Sequence, residues 1–561
     1  MRIAPVLAGI SMAIAASLAA RPARSCTSIL VAKGAATDGS TLITYAADSH
    51  DLYGELVVRP ATINPPGTML DVYEWDTGKH LGRIEQAPRT FGVVGNINEK
   101  QVAIGETTFG GRPELVNPAG VLDYGSLIYV ALQRAASARE AIQLMTGLVE
   151  KYGYYSSGES ISISDPREVW LLEMVGKGPG VKGALWVARR IPDGYISAHA
   201  NQARIRQFPL NDPSTTLYAK DVISFAREKG WFTGRDADFS FADTYAPLDY
   251  EALRFCEARV WSVFRRAAPA KKLPVDYVVG KPGAKPLPLW IRPDRKLAVQ
   301  DVMELMRDHF EDTDLDLSKD LGAGPFHLPY RWRPLTWKVG EIEYVNERAI
   351  STQQTGWSMV SQSRAGLPDS IGGLLWFGVD DTYTTVYVPM YAGLREAPRA
   401  YAPGVASLGR FSWDSAFWVF NWVANFTYTR WEDIVRDVRR TQRELEGDFL
   451  SRQASVEQAA LELHGRSPEL ARDYLNSYSA TQAAKTVARW KTLGEELLVK
   501  YVDGNVKNGP GAVTHPPYPD DWYRRIVADT GERLKKRALP GETNKPNLVP
   551  ATGYFHSHAE L

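Results

Sequence analysis

Residues 27–46 constrain the fold most. Two alternating, β-branched-rich runs, 27–33 (TSILVAK) and 40–46 (STLITYA), flank a turn at 34–39 that ends in Asp38-Gly39. They predict a hairpin that begins one residue after Cys26, which excludes an all-α fold. Shorter runs at 91–94, 102–106 and 160–163 read as further strands, and 169–175, 184–190 and 195–200 as a meander joined by Gly-rich and Pro-Asp-Gly turns. Strand character returns at 357–362, 373–379 and 384–388. Helical spacing of apolar residues marks 121–150, 250–267 and 298–309, then a long helical region from Trp413 to Lys500. Charged runs there, such as 432–446, read as solvated faces. The Pro- and Lys-rich stretch 270–300 reads as surface loop. Strands with helices before and after them fit a layered α/β or α+β architecture better than an all-α or all-β one, and the fold class expected is α+β.

Composition narrows the function. The chain has 65 basic and 65 acidic residues, hence no net charge, and no basic stripe that would serve a nucleic acid. Two cysteines, Cys26 and Cys256, exclude a disulfide-built scaffold and a Cys-rich zinc module. Met1-Arg2, an apolar run at 3–20 and Arg21-Pro22-Ala23-Arg24-Ser25 read as a secretory signal. The run is rich in Ala, Gly and Ser, weak for a membrane anchor. No other stretch is long and apolar enough to span a bilayer, so no membrane association is expected after the signal is removed. Cleavage after Ser25 would free Cys26; cleavage after Ala19 or Ala20 would leave a short pro-segment. A lipoprotein signal fits Arg24-Ser25 poorly.

The sequence lacks His-Glu-x-x-His, a Walker loop and a Gly-x-Ser-x-Gly elbow. Gly178-Pro179-Gly180-Val181-Lys182-Gly183 matches the dinucleotide fingerprint as a string, but it leads into another strand and reads as a hairpin turn. His556-x-His558 reads as surface. His199, in an expected strand, is either a satisfied structural residue or a base for Cys26. Cys26 is the chemically pointed residue. Once it is the first residue, its thiol and a free α-amine belong to one residue, and an amine titrating at about 7.7–8.0 can accept the thiol proton. The thiolate would attack a carbonyl, the amine would carry the proton to the leaving nitrogen, and water would hydrolyse the acyl-enzyme. In the bland reading Cys26 is a buried residue.

The pattern around Cys26 favours the chemistry. Cys26-Thr27-Ser28-Ile29-Leu30-Val31, Asp38-Gly39-Ser40-Thr41 and Ala47-Asp48-Ser49-His50 resemble the cysteine N-terminal-nucleophile dipeptidases, a family of bacterial peptidases that includes the secernins. The resemblance continues through 98–108, Gly158-Glu159-Ser160, 168–173, 190–205, 347–355 and 417–425, most of the chain after residue 25. It implies a four-layer αββα N-terminal-nucleophile (Ntn) hydrolase sandwich related to bile salt hydrolases and penicillin V acylases. A signal or propeptide would occupy 1–25, the core 26–412, a helical elaboration 413–505 and a surface-wrapping tail 506–561. By the same resemblance Cys26 is the nucleophile, Asp48 the carboxylate that orients its α-amine, Asn201 an amide donor beside the thiol, and Arg259 the helix arginine that holds the thiolate. Two positions depart from the acylase pattern: Tyr45 stands where those relatives carry an arginine, and Thr108 falls near their oxyanion asparagine. Tyr45 is therefore expected in the substrate pocket, and a backbone N–H near Thr108 in place of a side-chain donor.

A dipeptidase must hold both charged ends of its substrate. Glu106 and Glu159 are candidates for the ammonium, and a basic residue for the carboxylate. The expected substrates are short peptides, with no metal or organic cofactor, and a homo-oligomer is left open. One alternative is an amidase of the same mechanism acting on N-acyl amides. The other is a periplasmic binding protein in which Cys26 is inert.

Overall fold

The computed structural model describes residues 26–509, 511–537 and 540. Residues 1–25, where the sequence predicts a signal, and the pair His556 and His558 lie outside the described residues. The chain divides into two compact units, one up to Val502 and one from Asp503 onward.

The opening hairpin forms as its alternation predicts. Ser28–Val31 and Thr41–Asp48 pair antiparallel, fully buried, within a seven-stranded sheet. Its spatial order is Trp290–Ile291, Ile196–His199, Ser28–Val31, Thr41–Asp48, Thr355–Ser363, Gly373–Val379, Val388–Tyr391. An eight-stranded sheet runs Thr216–Tyr218, Leu185–Arg190, Val169–Val175, Gly158–Ser164, Ala103–Phe109, Ile97–Asn98, Val93–Val94, Val58–Arg59. Thr41–Asp48 packs across Ala103–Phe109 and Gly158–Ser164, which brings the two sheets face to face. Gly105 makes that approach possible: a Cβ there would meet Tyr45 Cβ at 3.1 Å and the Thr44 carbonyl at 3.2 Å.

The two faces of the eight-stranded sheet carry different chemistry, and strand periodicity explains why. On the outer face, Ile104, Ile161, Ile163, Trp170, Leu172 and Met174 join Leu127, Val130, Ile142, Met145 and Val149 of two covering helices in one aliphatic core. On the inner face stand Ser160, Ser162, Ser164, Thr107 and Glu173, buried against the other sheet. The seven-stranded sheet is covered by Ala258–Ala267, Val299–Met306, Ala416–Tyr428, Trp431–Arg466 and Pro468–Tyr501. Gly494 admits the Trp422 ring, which a Cβ would strike at 2.2 Å. The unit from Asp503 holds a two-strand ribbon, Val506–Lys507 with Val513–Thr514, and the helix Asp520–Thr530. No helix among the described residues is long and apolar enough to cross a membrane.

Several sequence expectations are corrected. The helix expected over 121–150 is two, Tyr124–Leu132 and Ala138–Tyr152. The Asp123 carboxylate accepts from the Ser126 N–H at 2.9 Å and the Ser137 hydroxyl accepts from the Glu140 N–H, so each short polar side chain caps a new start. The meander is broken: Leu185–Arg190 stays beside Val169–Val175, but Ile196–His199 crosses to the other sheet to pair with Ser28–Val31. The loop 270–300 contains the edge strand Trp290–Ile291 and the fully buried Val278. The last expected strand lies at Val388–Tyr391 rather than 384–388. The run 432–446 is not wholly solvated. Glu446 is buried and takes the Arg307 guanidinium at 2.6 Å, and Asp437 takes Lys500 at 2.7 Å. Gly178–Gly183 is, as expected, a turn between two strands.

Candidate active site

Cys26 leads into the central hairpin. The Thr27 and Ala46 backbones bridge to each other, so the residue before Thr27 sits at the end of the sheet beside Asp48. The thiol is free and 3% exposed; its sulfur lies 3.8 Å from Glu106 Oε1. Burial, then the charges of Glu106 and Asp48, push the thiol pKa well up, while the Asp48 backbone N–H directed at the sulfur favours the thiolate. A thiol in this setting is protonated at neutral pH and needs a base beside it to become a nucleophile.

Arg259 is the organising cation. The expected helix 250–267 begins with wide π-type winding over Ala252–Glu257 before Ala258–Ala267, an irregularity common at functional positions. The Phe255 carbonyl accepts from Arg259 Nε at 2.5 Å. The guanidinium, fully buried, donates to the Cys26 carbonyl at 2.6 Å, Thr27 Oγ1 at 2.8 Å, the Ala200 carbonyl at 3.2 Å and Asn201 Oδ1 at 2.8 Å. It grips the backbone of Cys26, where the resemblance had it hold the thiolate. Burial and the neighbouring Arg348 lower its pKa to about 10, so it stays charged at neutral pH.

Asn201 occupies left-handed backbone, φ 62°, which Asn tolerates better than most side chains. Its amide joins two elements, accepting from Arg259 and donating to the Thr108 carbonyl at 2.7 Å. The loop carrying it is tied down by a buried acid: Glu173 accepts the Arg204 and Ile205 N–H groups at 2.6 and 2.9 Å, and Arg204 pairs with Glu257 at 2.9 Å. One network therefore sets both Asn201 and the start of the Arg259 helix.

Asp48 ends its strand fully buried. Its carboxylate accepts from Arg348 at 2.5 Å and from Thr355 Oγ1 at 2.7 Å. Arg348 and Thr355, some 300 residues downstream, carried no role in the sequence reading, although they lie in a stretch that shared the family resemblance.

The second half of the site is acidic. Ile97–Asn98 pairs with the Ala103–Phe109 strand only at Ala103, so the rest of that edge is open to neighbours. Ser28 Oγ donates to the Glu106 carbonyl at 3.4 Å and Asn201 to that of Thr108. The Tyr45 phenol donates to Glu106 Oε1, and Thr108 Oγ1 to Oε2 at 3.4 Å. Glu159, fully buried, has both carboxyl oxygens without a hydrogen-bond partner; burial and then the Glu106 charge push its pKa well up. A cation entering beside these two carboxyls would relieve the repulsion that raises Glu159. Beside them opens a cavity of about 290 Å³ walled by Tyr45, Trp75, Asn96, Tyr124, Trp357 and Phe377 among others.

All the expected site residues thus gather at one place, with Tyr45 in a cavity wall. His199 does not serve as a base there. Its ring nitrogens are taken by Thr107 Oγ1 and Ser162 Oγ, each at 2.7 Å, and burial lowers its pKa to about 3, so it is a neutral staple between the sheets. Cys256 is a buried free thiol directed at the Asn201 carbonyl at 3.5 Å. No cluster among the described residues has the three or more ligands a metal ion would need.

Known proteins resemble this chain over most of its length. It is 27% identical over 392 residues to a probable dipeptidase of Latilactobacillus sakei, covering 67% of this chain and 76% of the relative. A probable dipeptidase of Salmonella dublin is 26% identical over 396 residues, 68% and 83% of the two chains. Dipeptidase A of Lactobacillus helveticus is 24% identical over 414 residues, 70% and 80%. The profile of peptidase family C69 matches residues 57–444, a span that holds Glu106, Thr108, Glu159, Asn201 and Arg259. The chain belongs to peptidase family C69.

Proposed function

We propose that the protein is an exported cysteine dipeptidase whose nucleophile is Cys26, made the first residue when 1–25 is removed, on an αββα Ntn-hydrolase core. The convergence of Arg259, the Asp48 N–H and Glu106 on that one residue carries the reading. Before cleavage the Cys26 nitrogen is an amide and cannot take a proton, so a thiol held in its protonated form is inert. After cleavage the α-amine removes the thiol proton as Sγ attacks the peptide carbonyl. The Sγ–C bond forms, the C–N bond breaks, and the proton passes to the leaving amine. Water then adds to the thioester, releasing the acid and restoring the thiol. Arg259 holds the Cys26 carbonyl and so keeps amine and sulfur in register. Asn201 and the edge N–H groups near Thr108 are the donors for the oxyanion. Glu106 and Glu159 receive the substrate ammonium, whose charge offsets the repulsion between them.

The test is the first residue of the active protein together with its substrate range. The reading expects Cys26 at the terminus, hydrolysis of unblocked dipeptides and rejection of their N-acetylated forms. Full activity with residues left upstream of Cys26 would overturn the mechanism, and a preference for acylated substrates would move the protein to the acylase side of the resemblance.

A further inference from the structure

The cavity beside the acidic pair contains a cation that nothing above employs. Arg59 lies in Val58–Arg59, the strand that ends the eight-stranded sheet, and lines the cavity with Tyr129, Glu55 and the aromatic wall. Its guanidinium rests 4.7 Å over the Tyr129 ring, and among the described residues no carboxylate pairs with it. Glu55 on the same wall instead accepts the Gly404 N–H. A half-buried arginine facing an aromatic cavity with its donors unspent is unusual, because arginines in such settings are normally held by an acid. Arg333, an exposed arginine, is by contrast held by Gln354 at 3.0 Å and borders a pocket of only about 20 Å³.

We propose that Arg59 binds the terminal carboxylate of the substrate, making it the residue that restricts the enzyme to unblocked short peptides. The inference rests on the dipeptidase reading above. The same cavity is bounded by Tyr45, whose phenol holds the Glu106 that faces the Cys26 sulfur, so one wall backs onto the nucleophile and another presents Arg59. At about 290 Å³ the space is at the small end of ligand pockets, which start at about 300 Å³. Its aromatic walls lower the local dielectric, which strengthens a guanidinium–carboxylate fork. A longer peptide would place an amide, not a carboxylate, opposite Arg59 and would have to leave the cavity.

The test measures binding, so that it does not depend on turnover. Ala-Phe and Ala-Phe amide are titrated calorimetrically into the purified chain carrying Cys26→Ala. The acid is expected to bind about 30-fold or more tightly than the amide. Adding Arg59→Met should bring the acid down to the affinity of the amide and leave the amide unchanged; Arg59→Lys should restore part of the difference. Equal affinity for acid and amide with Arg59 present, no binding of either, or an undiminished ratio in Arg59→Met would each overturn the proposal. The acid-to-amide ratio needs no change at Arg59, so it decides the matter even if Arg59→Met fails to fold. Dipeptide hydrolysis by the unaltered protein, assayed in parallel, reports separately on the Cys26 reading.

Discussion

The two faces of the eight-stranded sheet differ as sharply as any two regions of the molecule. One face is aliphatic and closed by helices, with Ile161 and Ile163 packed among Ile142, Met145 and Val149. The other meets the second sheet through hydroxyls, a neutral imidazole and the buried acid Glu173, with directed partners such as His199 with Thr107 and Ser162 and Glu173 with the Arg204 N–H. The first face stabilises by area removed from water and is indifferent to direction. The second gains little from burial, because its polar groups must be paired to offset their desolvation. What it supplies is orientation: hydrogen bonds aimed from one sheet to the other hold Cys26, Asn201 and Glu106 in register.

That contrast can be broken in graded steps. Cys26→Ala should leave both faces folded and lower dipeptide hydrolysis by at least about 10⁴-fold, seen as lost turnover at an unchanged melting temperature. Arg259→Met should damage both properties at once. It leaves the Cys26 and Ala200 carbonyls and Asn201 Oδ1 without their donor, a loss of about 3–5 kcal/mol to be read from denaturant unfolding, and activity should fall with it. Ile142→Ala, on the helix that covers the aliphatic face, should cost about 3 kcal/mol by the same measurement yet leave kcat on dipeptides unchanged. A matching loss of kcat would show that the faces are not independent.

Glu173 sharpens the comparison through pH. Burial raises its pKa from the ordinary 4.5 to about 7. The folded state therefore binds this proton more tightly than the unfolded chain. The contribution is complete below about 4.5 and is lost as pH rises through about 7. Wild-type stability should fall relative to Glu173→Gln across that window, by up to about 3 kcal/mol; parallel curves would contradict the shift. The smallest effect is expected at His199. His199→Gln should cost about 1 kcal/mol and leave the pH–activity profile in place, since the ring is neutral throughout the working range. Loss of the profile's acidic limb in that variant would restore His199 as a base.

Local rules carried much of the fold. The opening hairpin was legible from β-branched runs on either side of an Asp-Gly turn, and 373–379 from its short apolar run; all three strands are buried on both faces. The split of 121–150 depended on the caps Asp123 and Ser137, whose effect is visible only once the backbone they compete for is placed. The departure of Ile196–His199 from its neighbours was not legible at all: a strand's partner is chosen by register with Ser28–Val31, more than 160 residues away. The site divides in the same way. Cys26, Asp48, Asn201 and Arg259 were found through motif, whereas Arg348 and Arg59 were not, since nothing in an arginine's neighbours along the chain tells which carboxylate, if any, it will meet.

Sequence by itself determined that a buried hairpin directly follows the Cys26 thiol and that strands and helices are interspersed after it, because residue period and turn chemistry are local properties. Only the tertiary structure decided that Arg259 holds the Cys26 carbonyl, that Glu106 and Glu159 lie close enough to repel, and that Arg59 lines an aromatic cavity. Those facts depend on which buried groups remain to pair once the sheets have closed, and pairing across a closed interface is set by distance in space.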